Sequence, residues 1–299
     1  MQKILTKEGL VVYDKDIPAT IRLDPTETNA LLHKTIDYKK LDNHCEIVHL
    51  EISDQCNLSC KYCYNEKHSY ELTTEQWEDI IDSLVDYGVF QITFGGGEPL
   101  MRRDWHVLLL YAVGMGLNVG MTTNGVFLHE INPRYLKYFR QVNVSYHGEL
   151  DVLKKALKYL YDNGVKSGIN FVVRKEYFSA LENILAVAKQ YDSEVLLLTY
   201  KPVIDDFEQV IEPRKIYELA KFYSEFGHKI AIDGLSCYGS MQEYCLQKKT
   251  FCDIDSLGNV YPCSFIRKSI GNILEQDFKE IWRKRGEQER CPFLNKNEC

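Results

Sequence analysis

Cys56, Cys60 and Cys63 fall within eight positions of the stretch SDQCNLSCKYCYNE, residues 53–66. Thiolates are soft ligands, and spacings of four and three let one loop turn three sulfurs toward a single centre. A structural zinc ion demands a fourth side chain to close its tetrahedron. A four-iron cluster held by three thiolates leaves one iron without a protein ligand, open to a substrate or cofactor. A second stretch, TFGGGEPL (93–100), carries Gly95, Gly96 and Gly97 in succession. A backbone without Cβ atoms can approach a ligand closely. Pro99 biases Glu98 toward an extended conformation.

The other cysteines crowd one end. After Cys45, Cys56, Cys60 and Cys63 none occurs for 173 residues, and then come Cys237, Cys245, Cys252, Cys263, Cys291 and Cys299. Ten cysteines in 299 residues are too few for a disulfide scaffold. Two groups of soft ligands suggest two metal centres. In CLQKKTFCDIDSLGNVYPC (245–263), Gly258 and Asn259 fit a hairpin turn that would bring Cys252 and Cys263 together at its open end. A site of three or four thiolates there suits zinc or iron–sulfur. Cys45 reads as a buried thiol away from the ligand face.

Positioning these groups requires a scaffold, and the chain between them alternates strand-like and helix-like segments. IVHLEIS (47–53), FQITF, NVGMTTNG, QVNVSYHG, KSGINFVVR and EVLLLTYKPV read as six strands. Five helical segments separate them; the first, TTEQWEDIIDSLVDYG, has a capping box at Thr73 and Gln76 and ends at Gly88. Such alternation implies a parallel sheet with helices covering both faces, curled into a partial barrel or laid flat and doubly wound. Ligands then sit at the C-terminal strand ends, near Cys56, Gly95, Asn124, Ser145, Arg174 and Pro202.

Composition excludes several classes. Apolar residues make up 45% and charged residues 26%, as in an ordinary soluble protein. A net charge of −7 argues against nucleic acid as a partner. The start, MQKILTKEGLVVYDKD, lacks the apolar core of a signal peptide, and the longest apolar run, VLLLYAVGMG, is too short to span a bilayer. The expected location is the cytoplasm, with no membrane association.

The spacing C-x3-C-x2-C, with Tyr62 before its last cysteine, resembles the signature of radical S-adenosylmethionine (SAM) enzymes, and GGEP resembles a second motif of that family. The resemblance implies a partial (β/α)6 TIM-like barrel. Cys56, Cys60 and Cys63 would hold a 4Fe-4S cluster whose open iron chelates SAM. Tyr62 would lie near the adenine, and Gly95, Gly96, Gly97 and Glu98 near the SAM amine. Asn124, Ser145, Asn170 and Arg174 are the further candidates for SAM contacts. His147, where relatives often carry aspartate, reads as an ordinary loop histidine. The segment DSLGNVYPCSF and the cysteines around it resemble the SPASM or shorter twitch extension, which carries auxiliary iron–sulfur clusters. One auxiliary 4Fe-4S cluster is expected on Cys245, Cys252 and Cys263, with Cys291 or Cys299 as fourth ligand. A second, partial cluster using Cys237 is the alternative.

The expected organisation is a leader over 1–46 forming a short β hairpin, a partial barrel over 47–230, and a small cysteine-rich iron–sulfur domain over 231–299. By resemblance the enzyme cleaves SAM reductively to a 5′-deoxyadenosyl radical and abstracts a substrate hydrogen. The expected substrate is a ribosomally synthesised peptide or a protein, which would be crosslinked, epimerised or oxidised. Oxidation of a small molecule by a twitch-type dehydrogenase is the alternative, and a non-catalytic metal-binding sensor the remote one. Implied partners are an electron donor such as flavodoxin or ferredoxin and, since the leader is short, a separate peptide-recognition protein.

Overall fold

The computed structural model describes residues 2–6, 9–13, 20–37, 44–65, 67–68, 70–202, 205–233 and 250–285. The six expected strands form a parallel series: β4 (Ile47–Ser53), β5 (Gln91–Gly96), β6 (Asn118–Thr123), β7 (Phe139–Ser145), β8 (Ser167–Val173) and β9 (Glu194–Thr199). The intervening helices are α2 (Thr74–Tyr87), α3 (Trp105–Gly114), α4 (Pro133–Leu136), α5 (Leu150–Asp162) and α6 (Leu181–Gln190). The foreseen capping box is present: Thr73 accepts from the Gln76 N–H, and Gly88 closes α2 in the left-handed region. A further helix, α7 (Pro213–Glu225), returns the chain to a seventh parallel strand, β10 (Ile230–Ile232). The result is an open, partial barrel.

The expectation of helices on both faces is corrected by β4. Val48, Leu50 and Ile52 are fully buried with Trp77, Ile80, Ile81 and Leu84 of α2 in one apolar core. Burying each such side chain is worth roughly 1.5–3 kcal/mol. Side chains alternate across a strand, so His49 and Glu51 project to the opposite face. That face is a polar lumen.

Among the described residues past 230, the strands join the same sheet. β11 (Phe251–Ile254) pairs in parallel with β4, setting Cys252 opposite Val48 and Asp253 opposite His49. The foreseen hairpin then leads to β12 (Asn259–Tyr261), followed by β13 (Gly271–Asn272), giving the order β10-β9-β8-β7-β6-β5-β4-β11-β12-β13. Helix α8 (Phe278–Lys284) buries Phe278, Ile281 and Trp282 in the same core.

The leader is more than a hairpin. Strands β1 (Gln2–Thr6), β2 (Gly9–Tyr13) and β3 (Thr20–Leu23) make a three-stranded antiparallel sheet. Helix α1 (Pro25–Leu32) follows, capped by Asp24 with Glu27 in a second capping box. Tyr13 stacks on Phe90 with ring centroids 4.5 Å apart, which ties this sheet to the barrel. Among the described residues no helix is long and apolar enough to cross a membrane.

Candidate functional site

The cysteine loop leaves β4 and is fastened by the glycine stretch that ends β5. The Gly97 N–H donates to Ser53 O at 2.8 Å, and the Glu98 N–H to Gln55 O at 2.7 Å. A Cβ on Gly96, whose φ is +115°, would lie 2.1 Å from Ser53 O, and one on Gly97 would lie 2.3 Å from Gln55 O. Only glycine permits two backbones to approach so closely.

Glu98 is fully buried. Its Oε1 accepts from the Thr123 hydroxyl at 2.7 Å and from the Leu100 N–H at 3.2 Å, while Oε2 accepts from the Asn124 N–H at 2.7 Å. Burial pushes its pKa up against these donors. The carboxylate thus braces the end of β6, where Asn124 Nδ2 donates to Asn57 Oδ1 at 2.7 Å and lies 3.9 Å from Cys56 Sγ.

Cys56, Cys60 and Cys63 open into one cavity, with Tyr62, Gly95, Gly96, Gly97, Asn124, Ser145 and Asn170 also on its wall. The structure therefore brings together most of the residues singled out by type and spacing. Burial pushes the Cys56 and Cys60 thiols up, so their thiolates call for a cationic centre, which an iron cluster provides. Asn170 stands beside Ser145 in the β7–β8 register, and its buried Oδ1 has no hydrogen-bond partner among the described residues. An orphaned acceptor facing three thiols suits a cofactor rich in N–H and O–H donors. On both counts the residues fit a 4Fe-4S cluster with SAM.

Arg174 is not among the residues lining that cavity. It is buried, its guanidinium carbon 4.4 Å from the ring centroids of both Tyr62 and Tyr200, and its Nη2 donates to Asp206 at 3.1 Å. Its guanidinium lies against the Tyr62 ring. His147 is no ordinary loop residue: its Nδ1 lies 3.0 Å from the Tyr62 hydroxyl and 3.5 Å from Cys60 Sγ, and burial holds its pKa down.

Of the expected auxiliary ligands, Cys245, Cys291 and Cys299 lie outside the described residues, as does Cys237. Cys252 is fully buried on the helix side of β11, its Sγ 3.8 Å from that of Cys45. The thiol expected to be idle stands beside an expected ligand. Cys263 is half-buried.

Sequence reasoning passed over a second polar group on the lumen face. His49 Nδ1 pairs with Asp253 Oδ1 at 3.0 Å, and Arg267 bridges Glu51 at 3.0 Å and Asp253 at 3.5 Å. Tyr64, half-buried beside them, packs against Phe265 with centroids 4.9 Å apart and the rings tilted by 48°. Lys201 sits 4.3 Å over the Phe265 ring and donates to Asp233 at 2.7 Å. His49, Tyr64, Lys201 and Phe265 all line the cavity. The available signal was the pair of charged residues at alternate positions of IVHLEIS, which an apolar strand does not need.

The family model for the radical SAM superfamily matches residues 50–212, and that for an iron–sulfur cluster-binding domain (SPASM) matches residues 245–299. An AdoMet-dependent heme synthase of Nitratidesulfovibrio vulgaris is 26% identical over 290 residues, covering 80% of this chain and 79% of its own. The mycofactocin maturase MftC of Mycolicibacterium smegmatis is 28% identical over 272 residues, covering 78% and 69%. Among solved structures, Streptococcus suis SuiB bound to its precursor peptide SuiA superposes with a TM-score of 0.75 at 17% identity, over 94% of this chain and 86% of that one.

Proposed function

The chain belongs to the radical SAM superfamily, and from that premise we propose that it modifies a ribosomally synthesised peptide or a protein by crosslinking, epimerisation or oxidation. The observation that carries this reading is the shared cavity: Phe265, from the segment matched as an iron–sulfur domain, faces the same space as Cys56, Cys60 and Cys63. A substrate seated there touches both parts of the chain. Two relatives of this architecture are, by name, a peptide maturase and a protein bound to its precursor peptide.

Cys56, Cys60 and Cys63 would hold the 4Fe-4S cluster, while Cys245, Cys252, Cys263 and Cys291 or Cys299 would hold an auxiliary one. When bound, the first cluster and SAM would supply radical hydrogen-abstraction chemistry, and the auxiliary cluster would supply an electron acceptor. The chain's own part is placement. Asn170 Oδ1, with Ser145 and Asn124, orients the cofactor. Glu98 and Arg174 act through Asn124 and Tyr62. The rings of Tyr62, Tyr64 and Phe265 keep water away from a reactive carbon centre. The partners on this reading are a flavodoxin or ferredoxin as electron donor and a separate peptide-recognition protein, in the cytoplasm.

A small-molecule substrate is the second reading, favoured by the AdoMet-dependent heme synthases among the relatives. Anaerobic reconstitution with iron, sulfide, a reductant and SAM tests the chemistry. Wild type forms 5′-deoxyadenosine and Cys60→Ala does not; a wild type that forms none returns the chain to a metal-binding sensor. Co-expression with precursor peptides encoded beside it, read by mass spectrometry, separates the two substrate classes.

A further inference from the structure

Charge around the cavity is one-sided. Among the described residues no carboxylate lines it, whereas His49, His147 and Lys201 do. His147 is engaged with Tyr62 and Cys60. The other two basic side chains come from opposite ends of the strand series, one on β4 and one just past β9, and each is backed by a carboxylate one strand further out. Asp253 of β11 holds His49 Nδ1 at 3.0 Å, and Asp233, just past β10, holds Lys201 Nζ at 2.7 Å.

The backing leaves donors over. Held through Nδ1, His49 has no hydrogen-bond partner on Nε2 among the described residues. Lys201 spends two of its three ammonium donors, on Asp233 and on Thr199 O at 3.2 Å. Both side chains are about nine-tenths buried, so neither charge is satisfied by bulk water. Resting on the radical SAM reading, we propose that His49 and Lys201 form the anchor for a carboxylate group of the substrate, which binds against Tyr64 and Phe265. Burial pushes the His49 pKa down, but the Asp253 charge and hydrogen bond leave it above its ordinary value. With Nδ1 on Asp253, protonation of the ring gives Nε2 the N–H donor that an anion requires. A carboxylate drawn to these desolvated basic groups of one cavity gains charge-assisted hydrogen bonds that a neutral amide of the same shape lacks.

The competing source of a carboxylate is SAM itself, and the test separates the two. Cluster-loaded protein is saturated with SAM under anaerobic conditions and titrated calorimetrically with phenylacetate and with phenylacetamide. Wild type should prefer phenylacetate by about tenfold or more, the selectivity of roughly 1.4 kcal/mol. Lys201→Met and His49→Leu should each abolish that preference, and Lys201→Arg should keep most of it. Equal binding of the two probes by wild type overturns the proposal. So does a loss of SAM affinity in Lys201→Met and His49→Leu that matches the loss for phenylacetate, because the anchor would then belong to SAM. The readout needs no turnover: selectivity without 5′-deoxyadenosine formation removes the radical reading and leaves the anchor standing.

Discussion

The imidazole of His49 occupies the space in which a side chain on Gly95 would begin: a Cβ there would lie 2.0 Å from Nε2 and 2.7 Å from Cε1. The ring cannot swing aside without giving up its bond to Asp253. Gly95→Ala should therefore cost about 1–3 kcal/mol, the usual range for overpacking a filled site. Adding His49→Ala should return part of that cost. A double-mutant cycle by anaerobic urea denaturation measures it, with an expected coupling of about 1 kcal/mol or more. Additive losses would mean that the ring is free to move.

Gly97 meets backbone rather than a side chain. A Cβ there would stand 2.3 Å from Gln55 O and 2.7 Å from Asp54 O. Gly97→Ala must separate the glycine stretch from the cysteine loop and break the bond from the Gly97 N–H to Ser53 O. The expected outcome is poor loading of the three-cysteine site, seen as lower iron per chain and weaker visible absorbance after reconstitution. Iron content equal to wild type would show that the loop is held by other contacts.

Glu98→Gln asks whether the charge matters or only the shape. Both carboxylate oxygens accept from backbone N–H groups, Oε1 from Leu100 and Oε2 from Asn124. An amide in this buried position must turn its NH2 toward one of those donors. The cost should be about 1–3 kcal/mol. Asn124 should shift, so SAM affinity should fall while the Cys56, Cys60 and Cys63 site still loads iron. Calorimetric titration of SAM into the loaded variant checks this, and unchanged affinity would sever Glu98 from the cofactor.

What could be read from the chain alone was local. The C-x3-C-x2-C spacing, the GGGEP stretch and the Thr73 and Gln76 capping box each span only a few residues, and steric rules fix their meaning at that range. His49 and Asp253 are 204 positions apart and meet only because β11 docks beside β4. With that register Cys252 shares the barrel core with Phe278 and Trp282, contacts that no short window contains. Arg174 shows the converse limit. Its place after β8 was legible, but its enclosure by Tyr62 and Tyr200 depends on three strand ends converging.

The buried group around Arg267 should make stability fall as pH rises. Two carboxylates, Glu51 and Asp253, share one guanidinium and one imidazole with almost no water. Burial first, and then the Asp253 charge, push Glu51 from 4.5 up to about 8, against the pull of Arg267 and His49. Between pH 4.5 and about 8 the unfolded chain has lost the Glu51 proton while the folded chain keeps it. The folded state then binds more protons, and linkage makes unfolding easier with each step up in pH, by at most about 1.4 kcal/mol per unit for one group. His49, also raised, adds the same sign above 6.5. Thermal midpoints of the loaded protein should therefore drop between pH 5.5 and 8.5, and Glu51→Gln, which cannot titrate, should flatten that drop whatever its effect on the midpoint at any single pH. Parallel curves for wild type and Glu51→Gln would place the retained proton elsewhere.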